Sequence, residues 1–395
     1  MNNNDSQTGS LKLFFWFYFV LYSGNALYGT FAPLYFREEG YSASDIGLLL
    51  SVGPFVAMLA QPAWGSVTDK ASSKNSVLAT MLIGSGIVML LFPISPTYGW
   101  LMAAIGLFTL FQSSITAVAD AITLEALGKR AAHYGLIRIG GTIGFAVMSI
   151  GFGMYAERVA LDGMFGAYAI VMAASVAILM FYPKVKGHQF GGRKMNVTQL
   201  FRNRRLVLYM SICFVINTTL GYYYAFFPLY FTEIGAGNDM LGWSMVISAL
   251  AELPFLFYSS KLLKKVPVSA ILLFAGGAAV LRWMLYFLLD SPWLVLPAQA
   301  LHGLVFIVVA VTMSVYINKE VPPELRATGQ TLNALINLGA ARVFGSYLGG
   351  YASEASSLRA VFLYAALILS AALVVFAVCS WRMERNGLEG KRIAG

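Results

Sequence analysis

The sequence predicts an all-α membrane protein, with twelve transmembrane helices in two pseudo-symmetric six-helix bundles. Three observations carry this expectation. Of 395 residues, 58% are hydrophobic and only 11% are charged, against roughly 25% charged in soluble domains, so a water-facing surface cannot be assembled. Apolar stretches of roughly 20 residues, enough to cross about 30 Å of hydrocarbon, recur along the whole chain. Finally, "PLYFREEG" at 33–40 returns as "PLYFTEIG" at 228–235, 195 residues later.

The first ten residues, MNNNDSQTGS, lack a basic n-region, and the following apolar run has no small-residue cleavage pattern, so it reads as a retained first span. Apolar spans are expected at 11–36, 44–66, 76–96, 99–124, 134–157, 163–183, 206–232, 238–260, 268–289, 292–317, 327–352 and 357–381. With the N-terminus placed in the cytoplasm, the inner segments hold 21 of the 27 basic residues, and the outer loops only Arg37, Arg158 and Arg359. The positive-inside rule then predicts a multi-pass protein of the cell membrane with both termini cytoplasmic. The net charge of +9 is accounted for by this topology, and no soluble basic face for nucleic acid exists.

The basic segment KVKGHQFGGRKMNVTQLFRNRR (184–205) reads as a cytoplasmic linker between bundles at 1–183 and 206–395, with some capacity for anionic lipid headgroups. Pro33 is expected to end span 1, and Pro228 span 7 at the same depth. "GYSASDIG" (40–47) and "GAGNDMLG" (235–242) then start spans 2 and 8. This is the pattern of a parallel repeat about an axis along the membrane normal.

Asp120, Arg138, Glu252, Arg282, Arg342 and His302 fall inside spans. A charge there costs at least about 2.5–3.5 kcal/mol on insertion scales, so such residues face a partner or a polar cavity. Asp120 and Arg138 are equidistant from the loop between spans 4 and 5, so they can pair, either as a structural bridge or as part of a binding site. Arg282 and His302 are likewise equidistant from residue 292. Glu252 lies within reach of them and is the better candidate proton carrier, with His302 as neighbour or relay. Arg138 and Arg342 both read R-x-x-G, one per half. A cation from each half favours a polar or anionic ligand bound between them. The aromatic rows at 14–28 and 217–230 carry Tyr22, Asn25, Asn217 and Tyr223, which could stack on and hydrogen-bond a planar or sugar-like solute, though lipid-facing or packing roles fit such rows too. Gln112, Asn333 and Asn337 are further polar groups within spans, without assigned roles. Cys213 and Cys379 lie in apolar runs, which argues against a disulfide. Of the three histidines, His133 and His188 lie in cytoplasmic loops away from His302, so no metal or nucleophile cluster suggests an enzyme.

The predicted loop after span 2, Gly65-Ser-Val-Thr-Asp69-Lys70, has the G-x-x-x-D-[RK] pattern of a gating loop, and the corresponding "YSSKLLKKVP" (258–267) has neither Gly nor Asp. Together with "FAPLYFREEGYSASDIGLL…QPAWGSVTDK", "YGLIRIGGTIGF" (134–145) and "LHG" (301–303), it makes nearly the whole chain resemble proton-coupled symporters of the major facilitator superfamily, in the lactose and nucleoside permease branch. The resemblance implies sugar-site roles for Asp120 and Arg138, with Phe145 in place of a stacking tryptophan. It also implies coupling roles for Glu252, Arg282 and His302. Two departures stand out: Val305 occupies the place of a proton-carrying glutamate and Gln299 that of a lysine. The expected function is alternating-access, proton-coupled uptake of a small polar solute such as a sugar, glycoside or nucleoside, by a monomer whose one coupling ion is the proton. The alternative is a proton-driven antiporter exporting amphipathic compounds.

Overall fold

The structure, a computed structural model, describes residues 3–128, 133–186, 200, 203–322 and 325–393. The predicted linker at 184–205 lies mostly outside the described residues, as do Lys129, Arg130 and His188. The first half forms α1 (Asn3–Glu38), α2 (Ala43–Lys70), α3 (Lys74–Met89), α4 (Tyr98–Gln112), α5 (Ile115–Leu127), α6 (Tyr134–Arg158) and α7 (Gly163–Leu179). The second forms α8 (Arg204–Glu233), α9 (Asn238–Leu250), α10 (Leu253–Lys265), α11 (Val268–Leu288), α12 (Pro292–Ala298), α13 (Phe306–Glu320), α14 (Arg326–Asn333), α15 (Ala341–Ala355) and α16 (Leu358–Ile393). All twelve expected spans are helical. Large apolar side chains point outward, with Met180 80%, Phe181 77% and Phe257 75% exposed. Such a surface suits hydrocarbon and would aggregate in water.

Four spans are interrupted, and each break has a local cause or marks a polar site. Span 4 breaks at Ser113–Ser114, between α4 and α5. Span 8 breaks after Leu250 because Pro254, at the second position of α10, cannot coexist with a helical carbonyl four residues back. Span 10 carries a 3₁₀ segment, Gln299–Leu304, between α12 and α13, and span 11 a π-helix, Ala334–Ala340, between α14 and α15. A Cβ on Gly303 would lie 1.8 Å from the carbonyl oxygen of Ala251, so the span 10 break rests directly on the span 8 break.

The repeated octapeptide is a helix stop, though its proline is not what stops the helix. Pro33 and Pro228 lie inside α1 and α8, which run on to Glu38 and Glu233. The residues just past each proline (Leu34, Tyr35 and Phe36; Leu229, Tyr230 and Phe231) are buried, and packing that outweighs one lost hydrogen bond keeps the helix going. The stop is the final glycine of the phrase, Gly40 at φ 85° and Gly235 at φ 94°. Gly40 N donates to Arg37 O at 3.0 Å and Tyr41 N to Phe36 O at 3.2 Å. Gly235 N donates to Thr232 O and Ala236 N to Phe231 O, both at 3.0 Å. These are two Schellman motifs, each built on a left-handed glycine. A side chain in that conformation costs roughly 1–2 kcal/mol. Gly40→Ala and Gly235→Ala should therefore each lower the detergent-solubilised melting temperature, and wild-type melting in both would refute this assignment.

The turns that follow differ between halves. Ser42 caps α2 in a reciprocal capping box with Asp45. At the start of α9 the backbone N–H of Asn238 donates instead to Glu157 of α6, at 2.6 Å. Two of the three expected outer arginines meet acids, Arg37 with Glu233 at 3.4 Å and Arg359 with Asp290. The predicted gating loop requires correction. Gly65, Asp69 and Lys70 stand in the last turns of α2, and the chain leaves the helix only at Ala71, which is extended (ψ 143°). Gly65 has the lowest helix propensity of the segment, and Ser66, Val67, Thr68 and Asp69 are poor helix formers too, so the preceding turns carry the helix through it. Contacts group the chain into two units, Met1–Gly192 with Phe231–Val246, and Arg193–Tyr230 with Ile247–Gly395.

Candidate functional site

Two polar clusters form, one in each unit. In the first, Tyr18 of α1 donates its hydroxyl to Asp120 of α5 at 2.5 Å, and the Tyr134 side chain of α6 lies near the same carboxylate. Tyr18 stacks on Tyr22 one turn along, at 6.2 Å between ring centroids and 11° between planes. The Arg138 guanidinium lies 4.2 Å above the Tyr22 ring. Asp120 and Arg138 are thus linked through a stacked tyrosine pair. Asn25 accepts from Gln112 at 3.2 Å, where α4 ends. Phe145 is half-buried on α6. Sequence reasoning missed Tyr18 and Tyr134. The spacing of Tyr18 and Tyr22, four apart on one helix face, was the available signal.

The close approach of α1 and α6 depends on glycine. A Cβ on Gly144 would lie 1.9 Å from the Phe19 carbonyl oxygen. The second unit repeats the device where α8 meets α15, since a Cβ on Gly345 would lie 2.1 Å from the Thr218 carbonyl oxygen. There Arg342 places its guanidinium 4.8 Å above Tyr224. Each unit therefore holds an arginine over a tyrosine of its first long helix, a cation–π contact worth about 0.5–2 kcal/mol.

The second cluster centres on Arg282, which is fully buried. Its Nη1 meets His302 Nδ1 at 3.0 Å, its Nη2 donates to Gln299 Oε1 at 2.6 Å, its Nε donates to the Tyr286 hydroxyl at 2.9 Å, and Tyr223 lies 4.0 Å beneath the guanidinium plane. Gln299 Oε1 also accepts from Tyr286 at 2.9 Å and from Tyr223 and Ser248 at 3.0 Å each. Four donors around one amide oxygen make this a strongly donor-rich pocket. A guanidinium can only donate, so His302 Nδ1 is the acceptor and the ring proton is assigned to Nε2. That nitrogen lies 3.7 Å from Glu252 Oε1 and 3.2 Å from the Tyr224 hydroxyl. The 3₁₀ segment aims Gln299 and His302, and the break before α10 places Glu252 at the cap position, where its side chain does not cap the helix. Broken helices are a recurrent way to gather polar groups at membrane depth.

The structure brings Arg282, His302 and Glu252 together as expected from their depths, and adds Tyr223, which was expected as a solute contact. Asn217 is buried on α8 and donates to the Cys213 carbonyl at 2.8 Å. Val305 is fully buried at the end of the 3₁₀ segment. Gln299, Tyr286, Tyr224 and Ser248 were not anticipated as members. Tyr286 four residues after Arg282, and Gln299 three before His302, were the spacings to notice. Cys213 and Cys379 are both free.

The MFS_1-like family model matches residues 10–364, most of the chain. The chain belongs to that family. It is a multi-pass membrane transporter of the major facilitator superfamily and not an enzyme. Among its relatives, this MFS_1-like chain is 27% identical to the transporter YwbF of Bacillus subtilis (strain 168) over 83% of this chain and 82% of the relative. It is 23% identical to the maltose permease of Geobacillus stearothermophilus over 94% and 95%. The crystal structure of the nucleoside transporter NupG superposes with a TM-score of 0.83 at 18% identity, covering 93% of this chain and 98% of that one, which shows the shared fold.

Proposed function

We propose that the protein carries a small polar solute, a sugar, glycoside or nucleoside, into the cell by alternating access coupled to a proton. The observation that carries the coupling is Glu252, a carboxylate 3.7 Å from His302, which is itself held by the buried Arg282. With Nδ1 of His302 occupied by Arg282, the carboxylate is the group in this network able to take up and give back the proton. The similarity to a maltose permease over 94% of the chain supports the solute class. Asp120 with its two tyrosines, Arg138 over Tyr22, and Arg342 over Tyr224 supply acceptors, donors and ring faces for such a solute. Phe145, Asn25 and Asn217 join them as solute contacts. The distribution of basic residues supports cytoplasmic termini. The chain works as a monomer, needs no cofactor beyond the proton, and meets anionic lipid headgroups through its basic linker.

The test is the direction of proton movement. Adding maltose or uridine to energised vesicles bearing the protein should alkalinise the medium. Acidification would mean antiport, with a proton leaving as added solute enters, and no pH change during uptake would remove proton coupling.

A further inference from the structure

The amide of Gln299 is bonded on one side and bare on the other. The residue is fully buried in the 3₁₀ segment, three positions before His302. Its Oε1 accepts from Arg282 Nη2 at 2.6 Å, from the Tyr286 hydroxyl at 2.9 Å, and from Tyr223 and Ser248 at 3.0 Å each. Its Nε2, also buried, has no hydrogen-bond partner among the described residues. Turning the amide over does not repair this. A guanidinium can only donate, so the contact with Arg282 would be lost. The oxygen is therefore locked on Arg282, and the buried NH2 left without an acceptor calls for an explanation.

A buried guanidinium ordinarily needs a counter-charge, because an unpaired ion in the interior is strongly unfavourable. Among the described residues, the groups that hold Arg282 are neutral. Besides Gln299, the rings of Tyr223, Trp283 and Tyr286 lie 4.0, 5.1 and 5.3 Å from the guanidinium carbon. His302 Nδ1 accepts from Nη1 at 3.0 Å. Ring faces and an amide oxygen stabilise a cation without cancelling its charge. Glu252 stands across the imidazole, 3.7 Å from Nε2. Charges act strongly over such distances where the dielectric is low, so the proton affinity of Glu252 depends on how far Arg282 is compensated.

We propose that Gln299 is a positioning residue for proton coupling, and that its neutrality is the property that matters: it fixes Arg282 on His302 while leaving the charge of Arg282 uncancelled for Glu252 across the ring. A carboxylate in the same place would meet a guanidinium and three hydroxyls with two oxygens. Such charge-assisted bonds are roughly twice as strong as neutral ones, and no NH2 would be left without an acceptor. The amide thus forgoes stability that a carboxylate would supply, and keeps the field of Arg282 directed at Glu252. The inference rests on Glu252 as the coupling carboxylate.

The experiment compares Gln299→Glu and Gln299→Met with wild type in the purified full chain, by thermal melting and, in proteoliposomes, by counterflow exchange and accumulation of maltose and uridine. Gln299→Glu should melt above wild type and still exchange solute. Its accumulation ratio under about 100 mV should fall from roughly fiftyfold to about one. Gln299→Met keeps the length of the side chain but has no oxygen to hold Arg282. It should melt below wild type and also lose accumulation. The two melting shifts are opposite, whereas a merely structural role would make accumulation follow stability. Wild-type accumulation in either variant overturns the inference. So does a Gln299→Glu that melts below wild type or does not fold, because Arg282 is then already compensated. Loss of exchange in Gln299→Glu would make residue 299 a solute contact and overturns it as well. A wild type that takes up neither probe, or moves no proton with them, overturns the transport reading itself before any variant is compared.

Discussion

Glu252→Gln should abolish uphill accumulation of solute while leaving solute exchange close to the wild-type rate. The glutamine keeps the size of the side chain and can still accept from Nε2–H of His302, which lies 3.7 Å from the carboxylate oxygen. It cannot take up a proton. One proton moving down 100 mV supplies about 2.3 kcal/mol, roughly a fiftyfold concentration ratio. In the variant that ratio should fall to about one, because downhill movement no longer requires the proton step. The two measurements are the steady-state accumulation ratio in energised vesicles and counterflow exchange in vesicles without a gradient. Unchanged accumulation would take Glu252 out of the coupling role, and loss of exchange as well would make it a solute ligand or a structural residue.

The second large effect is expected at Gly144. Its ideal Cβ would fall 1.9 Å from the Phe19 carbonyl oxygen, 2.7 Å from its carbon and 2.9 Å from its Cα. All three atoms are backbone, so no rotamer change relieves the clash, and α1 must move off α6. Overpacking of this kind costs typically about 1–3 kcal/mol. It also separates Tyr22 from Arg138, which depend on the same contact. Gly144→Ala should therefore lower both melting temperature and uptake. Gly151→Ala is the control on the same helix, since nothing lies within 4 Å of its Cβ position. There the gain in helix propensity, up to about 1 kcal/mol, should leave stability unchanged or raised. Equal stability of the two variants would show that the α1–α6 approach is looser than described.

Much of this fold was legible because span length and charge need no orientation to be read. The depth argument also survived, since counting from residue 292 brought Arg282 and His302 to the 3.0 Å contact that the structure has. Orientation around each helix was not legible. The aromatic row of α1 is predominantly apolar all round, so only the four-residue spacing of Tyr18 and Tyr22 pointed to Tyr18, and nothing in it pointed to Asp120 as the partner. Gln299 was noticed only as a departure from a family pattern, and its four donors come from α8, α9 and α11. The break before α10 was written in Pro254, whereas the π-helix before Arg342 has no comparable signal, because a wound-out turn differs from an ordinary one by packing alone. Gly65–Lys70 read as a loop on its G-x-x-x-D-[RK] pattern, yet without a proline or a left-handed glycine nothing ended the helix there.

Gly40 and Gly235 act as punctuation, not vocabulary. Each fixes where a long helix halts and at what angle the chain departs, and neither belongs to the groups that would touch cargo. A lineage starting from this chain can change what it carries by editing Asn25, Phe145 or Asn217 and keep both full stops. Losing either full stop would reset the geometry for every cargo at once.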